Sequence, residues 1–128
     1  MFRQHGAELA ALEVRAIGCQ ARKGNVPPPP GGLSFLWERA AAATLEAVTG
    51  RHVTLDPNTI GITRREPYGV VAAIVPFNSP LGMACSKASL ALAAGNTVVM
   101  KPPEQASPAI LRMAELMAGI LPPGTLNI

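Results

Sequence analysis

The chain has 128 residues and a net charge of +3, enough for one ordinary domain and too little charge to mark a partner by sign. Charged residues are 15% of it, hydrophobic residues 48%, and the basic residues are scattered among only five aromatics, which leaves nucleic-acid binding without support. Cys19 and Cys85 have neither metal-ligand nor disulfide-framework spacing, and no apolar run approaches the roughly 18 residues of a membrane span. No metal site and no membrane association are therefore expected, and a reducing, cytoplasmic setting is.

Residues 2–20 can form a helix. Leu9, Leu12, Val14, Ala16 and Ile17 give it a loose apolar side, and Glu8, Glu13 and Arg15 fall among its polar positions. The acidic residues there also argue against a signal peptide. Pro27, Pro28, Pro29 and Pro30 read as a stiff connector rather than as a ligand for a proline-recognising module. Residues 33–48 form a second predicted helix, with Phe35, Leu36, Ala40, Ala43, Leu45 and Val48 facing inward. Its Trp37 reads as packing rather than as a stacking platform. Residues 51–55 and 59–66 alternate well enough for a hairpin around the turn Asp56-Pro57-Asn58. These strands are polar enough to lie at a sheet edge or outside the main sheet.

Residues 70–75 are a short, β-branched apolar run, which predicts a strand buried on both faces. Ser79 is the expected cap of the next helix, residues 81–94, and Pro80 its first residue. Gly95-Asn96 ends it, as a pair that tolerates the left-handed conformation. Residues 97–100 are a second strand. Strand, crossover helix and strand make a βαβ unit, whose strands are parallel. Ser107 and Pro108 repeat the helix start for residues 109–120, and residues 121–128 read as a loop leading into a new strand. Two doubly buried strands need more helices and strands than this chain supplies. The expectation is therefore a piece of a larger α/β domain, divided into a helical segment (1–50), a hairpin (51–67) and a βαβα region (68–128).

Open parallel sheets bind ligands at the carboxyl ends of their strands. Here those ends are Pro76-Phe77-Asn78 and Lys101-Pro102-Pro103-Glu104. No GxGxxG, HExxH, CxxC or Walker pattern is present.

Residues 64–128 resemble the aldehyde dehydrogenase superfamily, most specifically in ALAAGNTVVMKPPEQ, with YGVV and IVPFN upstream and LPPGTLN downstream in the family's order. The earlier segments resemble its amino-terminal region more weakly. The resemblance implies an incomplete Rossmann-like coenzyme-binding domain of an enzyme that oxidises an aldehyde with NAD or NADP. It places Ile74, Pro76 and Phe77 beside the coenzyme, and gives Asn78 the donor that holds the substrate's oxyanion. Read without the resemblance, Asn78 before Ser-Pro is a turn former. The resemblance also sets Lys101 and Glu104 against the adenine ribose. A carboxylate there repels a 2′-phosphate, so NAD is favoured over NADP. Many relatives have Ser where this chain has Pro103, which loosens that preference. Lys87 matches a frequent family lysine that either lines a proton path or simply covers its own polar face. The family's nucleophilic cysteine and general-base glutamate are not matched by any residue here, Cys19 and Cys85 included. The 128 residues are therefore expected to be inactive alone, and the full-length form to be a homo-oligomer. The other reading is a non-catalytic fragment or interaction piece of such an enzyme.

Overall fold

The structure, a computed structural model, describes residues 1–18 and 32–128; the expected proline connector and Cys19 lie outside the described residues. In chain order the elements are α1 (Phe2–Ile17), α2 (Gly32–Ala47), β1 (His52–Asp56), β2 (Thr59–Ile62), β3 (Val70–Ile74), α3 (Pro80–Ala93), β4 (Thr97–Lys101), a 3-10 turn (Glu104–Ala106), α4 (Pro108–Ala118) and β5 (Leu126–Asn127).

β3, β4 and β5 lie side by side in that order, all parallel, with Val70 opposite Thr97 and Ile74 opposite Lys101. Two right-handed crossovers advancing in one direction place α3 and α4 on the same face of the sheet. That face is the core. Ala73 and Val75 from β3 and its extension, and Val98 and Met100 from β4, meet Leu81, Ala84, Cys85 and Ala88 of α3 and Ile110, Met113 and Met117 of α4. The helical spacing of these residues supplies the matching stripes. α1 and α2 pack outside α4 and α3 and contribute Leu9 and Leu33 to the same cluster.

The expectation of strands buried on both faces is corrected. Val70, Ile74 and Val99 point away from the helices and are 66%, 73% and 50% exposed. Among the described residues only one face carries helices, so the pleat's alternation divides each strand into a buried and an exposed row.

α2 is turned relative to its expected face. Leu33 and Ala40 are buried and Leu36 and Trp37 pack on the core, while Phe35 is 52% and Val48 47% exposed. The large aromatic Trp37, rather than Phe35, takes the inward position and stacks on Phe2 of α1 at 5.8 Å between ring centroids. Phe35 instead lies under the Arg39 guanidinium. The hairpin forms its own two-stranded antiparallel sheet. β2 stops at Ile62, short of the expected residue 66: the Thr63 N–H still donates to the Arg51 carbonyl at 2.8 Å, but the Arg51 N–H goes to the Thr63 hydroxyl at 2.7 Å instead of to its carbonyl, so the ladder is not completed at this closure. Gly50 is required at that closure: a Cβ there would stand 2.0 Å from the Thr63 carbonyl oxygen.

Both ends of α3 are fastened by side chains. At its start neither Ser79 nor, for α4, Ser107 makes the expected side-chain cap. The Leu81 N–H donates instead to Glu13 Oε1 of α1, 2.9 Å away. Glu13, expected on the polar side of α1, is fully buried. At the other end Gly95 takes the left-handed conformation alone, with φ +84°. Asn96 does something else. Its Nδ2 donates to the Ala91 carbonyl of α3 and its Oδ1 accepts from the Gly69 N–H at the head of β3, each at 3.0 Å.

Two outcomes follow from these fastenings. Asn96→Ala removes the acceptor of the Gly69 N–H and one of two donors to the Ala91 carbonyl, which keeps its bond from the residue-96 N–H, and chemical denaturation should show a loss of about 1 kcal/mol. Burial raises the Glu13 carboxyl above its ordinary 4.5, against the lowering effect of the Leu81 N–H. Because the folded-state pKa is the higher one, the stability it contributes is full below pH 4.5 and is lost as pH rises through the folded-state value. Glu13→Gln keeps an acceptor for Leu81 without the charge. Urea midpoints measured across that interval should be flatter for Glu13→Gln than for the parent chain.

Candidate functional site

The alternation that buries Ala73, Val75 and Met100 drives their neighbours outward. Ile74 and Lys101 are directly paired at the carboxyl ends of β3 and β4, both exposed. The two strands stay joined one step further by the Val75 N–H, which donates to the Lys101 carbonyl at 3.1 Å. Pro76, Phe77 and Asn78 then form the exposed turn into α3, with Phe77 65% accessible. After β4, Lys101 Nζ donates to the Pro102 carbonyl at 3.1 Å, Pro103 is buried, and Glu104 opens the 3-10 turn with its carboxylate exposed. All six candidate residues thus lie along one rim of the sheet. Lys101 bonds to the neighbouring carbonyl rather than pairing with Glu104. Lys87 stands apart, lining a shallow hollow with Tyr68, Ala72 and Leu90 beside β3.

The rim's donor set is an ammonium and a carboxylate flanked by apolar Ile74, Pro76 and Phe77. That set can both donate and accept hydrogen bonds beside an apolar wall.

Cys85 is not on the rim. It is fully buried in α3, with Sγ 3.4 Å from Met113 Sδ. Burial pushes its thiol up to about 12; Trp37 pulls the other way, and the Glu13 charge adds to the rise. A thiol in that state is a small apolar core residue, not a nucleophile. A groove of about 740 Å³ lies at the opposite, amino-terminal end of the strands, lined by Thr44, Arg64, Glu66, Tyr68, Leu90 and Asn96. It contains none of the candidate residues.

The whole chain, residues 1–128, matches the model of the aldehyde dehydrogenase family. The chain belongs to that family. It is 43% identical over 125 residues to fluoroacetaldehyde dehydrogenase of Streptantibioticus cattleyicolor, covering 98% of this chain and 24% of that protein. It is 38% identical over 130 residues to the NADP/NAD-dependent aldehyde dehydrogenase PuuC of Escherichia coli, covering 100% of this chain and 26% of that protein. Among solved structures, PnpE of a Pseudomonas species in complex with nicotinamide adenine dinucleotide superposes with a TM-score of 0.81 at 34% identity, over 97% of this chain and 25% of that one. This aldehyde dehydrogenase chain therefore spans about a quarter of the length of the relatives it matches. Among the described residues no helix is long and apolar enough to cross a membrane.

Glu13 and Asn96 fasten the two ends of α3, Glu13 beside the turn that follows β3 and Asn96 at the opposite end of the strands, and neither stood out in the sequence as doing so. Asn96 had a local signal, an amide directly after the glycine that ends a helix. Glu13 had none, because its partner is 68 residues away.

Raising the Cys85 thiol from 9.0 to about 12 lowers its thiolate fraction about a thousandfold at mildly alkaline pH. A short iodoacetamide pulse on the native chain, read by peptide mass mapping, should leave Cys85 unmodified and label it only after denaturation.

Proposed function

We propose that this chain is the coenzyme-facing part of an aldehyde dehydrogenase that oxidises an aldehyde to a carboxylic acid with NAD(P)+. The observation that carries the reading is the rim itself: Ile74, Pro76, Phe77 and Asn78 at the end of one parallel strand, Lys101 and Glu104 at the end of the next. Residues 68–128 supply that rim. Glu104 accepts hydrogen bonds from the ribose hydroxyls and Lys101 donates to them, after exchanging its bond to the Pro102 carbonyl. Ile74, Pro76 and Phe77 form an apolar wall beside the coenzyme and keep water from it. The coenzyme, when bound, supplies the hydride acceptor. Asn78 points an amide donor at the substrate oxygen as charge develops there, an interaction stronger at that stage than in the ground state. NAD is the preferred coenzyme because Glu104 would repel a 2′-phosphate.

The nucleophilic thiol such an oxidation uses is not Cys85, for the reasons given above. Aldehyde oxidation is accordingly assigned to the full-length form, a cytoplasmic homo-oligomer, and not to these 128 residues alone. The exposed apolar row Val70, Ile74 and Val99 favours a second reading, in which the chain acts as a non-catalytic piece that packs against further polypeptide.

Titration calorimetry on the purified chain tests the first reading. NAD should bind more tightly than NADP. Glu104→Ala should weaken NAD roughly tenfold and narrow its advantage over NADP. Equal affinities in parent and variant, or no NAD binding at millimolar concentration, would sink the assignment of the rim. Aldehyde-dependent NADH formation by the chain alone would sink the assignment of oxidation to the longer form.

A further inference from the structure

Glu13 sits in the amino-terminal helix, far in sequence from every candidate site residue, yet its carboxylate ends against the turn that carries Asn78. Pro80, at the first position of α3, has no N–H. The Leu81 N–H is therefore the first donor the helix presents, and it goes to Glu13 Oε1 at 2.9 Å. The Met83 N–H closes onto the Ser79 carbonyl at 3.0 Å. Glu13, Pro80 and Leu81 are all fully buried, so this end of the turn is set in the core. The other end is Val75, also buried, whose N–H bonds to the Lys101 carbonyl at 3.1 Å. Between these two pins only residues 76–80 remain, and Pro76, Phe77 and Asn78 are the exposed ones. Two of the five are prolines with fixed φ, which leaves the turn little freedom once its ends are held.

We infer that Glu13 is a positioning residue of the rim: its carboxylate fixes the start of α3 and, through Leu81, the placement of Phe77 and Asn78. The inference rests on the proposed coenzyme role of that rim. The Ser79 side chain makes no cap that could substitute. Glu13 Oε2 is buried without a hydrogen-bond partner among the described residues, so the carboxylate is kept there at a desolvation cost that an ordinary core residue would avoid.

The test uses the full 128-residue chain as the parent, Glu13→Gln and Glu13→Leu, compared by amide and side-chain NMR and then titrated with NAD. Glu13→Leu should move the Leu81 amide together with the Phe77 and Asn78 resonances and weaken NAD about tenfold. Glu13→Gln, which keeps the acceptor, should restore both the resonances and the affinity to within about twofold. Should Glu13→Leu fail to fold, Glu13→Asp takes its place; its shorter side chain withdraws the carboxylate and should show the same coupled movement. A Leu81 shift with Phe77 and Asn78 unmoved would overturn the inference and leave Glu13 as a helix anchor only. If the parent itself binds no NAD, the coenzyme reading of the rim fails, while the coupling between Glu13 and Asn78 is still decided by the resonances.

Discussion

A parallel strand pair cannot be closed by a tight turn; it depends on a crossover helix held at the right height against both strands. Here that height is set by two buried side chains. Asn96 joins the last turn of α3 to the head of β3, and its own backbone begins the approach to β4. Glu13 reaches from α1 to the first free N–H of α3. Neither contact belongs to the regular ladders, yet together they fix the helix along its axis. The apolar stripe of Leu81, Ala84, Cys85 and Ala88 cannot do this, because hydrophobic contact is non-directional and tolerates sliding.

The same division explains which parts of the fold were legible in the sequence. The βαβ unit was legible because each of its parts has a local signature: a β-branched run, Ser-Pro before a helix, Gly after it. The carboxyl-end rim followed from that topology alone, and with it the places of Pro76, Phe77, Asn78, Lys101 and Glu104; Ile74 was named only through the family resemblance. Capping was not legible. Ser79 satisfies the local rule for a helix start, and the competing acceptor on residue 13 is invisible to any window of neighbouring residues. The facing of α2 failed for a related reason. Phe35 and Trp37 are nearly equivalent by hydrophobicity, and the tertiary partners that select Trp37, the Phe2 ring on α1 and the core cluster, lie outside any local window. The two-sided burial of β3 was inferred from composition, which records that a strand can be buried, not that something covers it.

Glu13 shows how a charge is tolerated in this core. A carboxylate in an apolar setting is costly unless hydrogen-bonded. Its one bond from Leu81 and the positive end of the α3 dipole offset part of that cost, and the raised carboxyl pKa is the remainder. The neighbouring Cys85 feels the same environment. A site able to push a thiol to about 12 is hostile to negative charge, so Glu13 is held there by its bond rather than by the surroundings.

The pleat then settles where chemistry can occur. Met100 must face the core, so Lys101 must face out; Ala73 and Val75 must face in, so Ile74 stands on the outer row. The polar and apolar groups of the rim are consequences of one register, Ile74 against Lys101. A slip of a single residue would bury the lysine and expose the methionine, which the core forbids. The constraint that packs the inner face therefore also assembles the outer rim, and a side chain as distant as Glu13 bears on the rim because it bears on that packing.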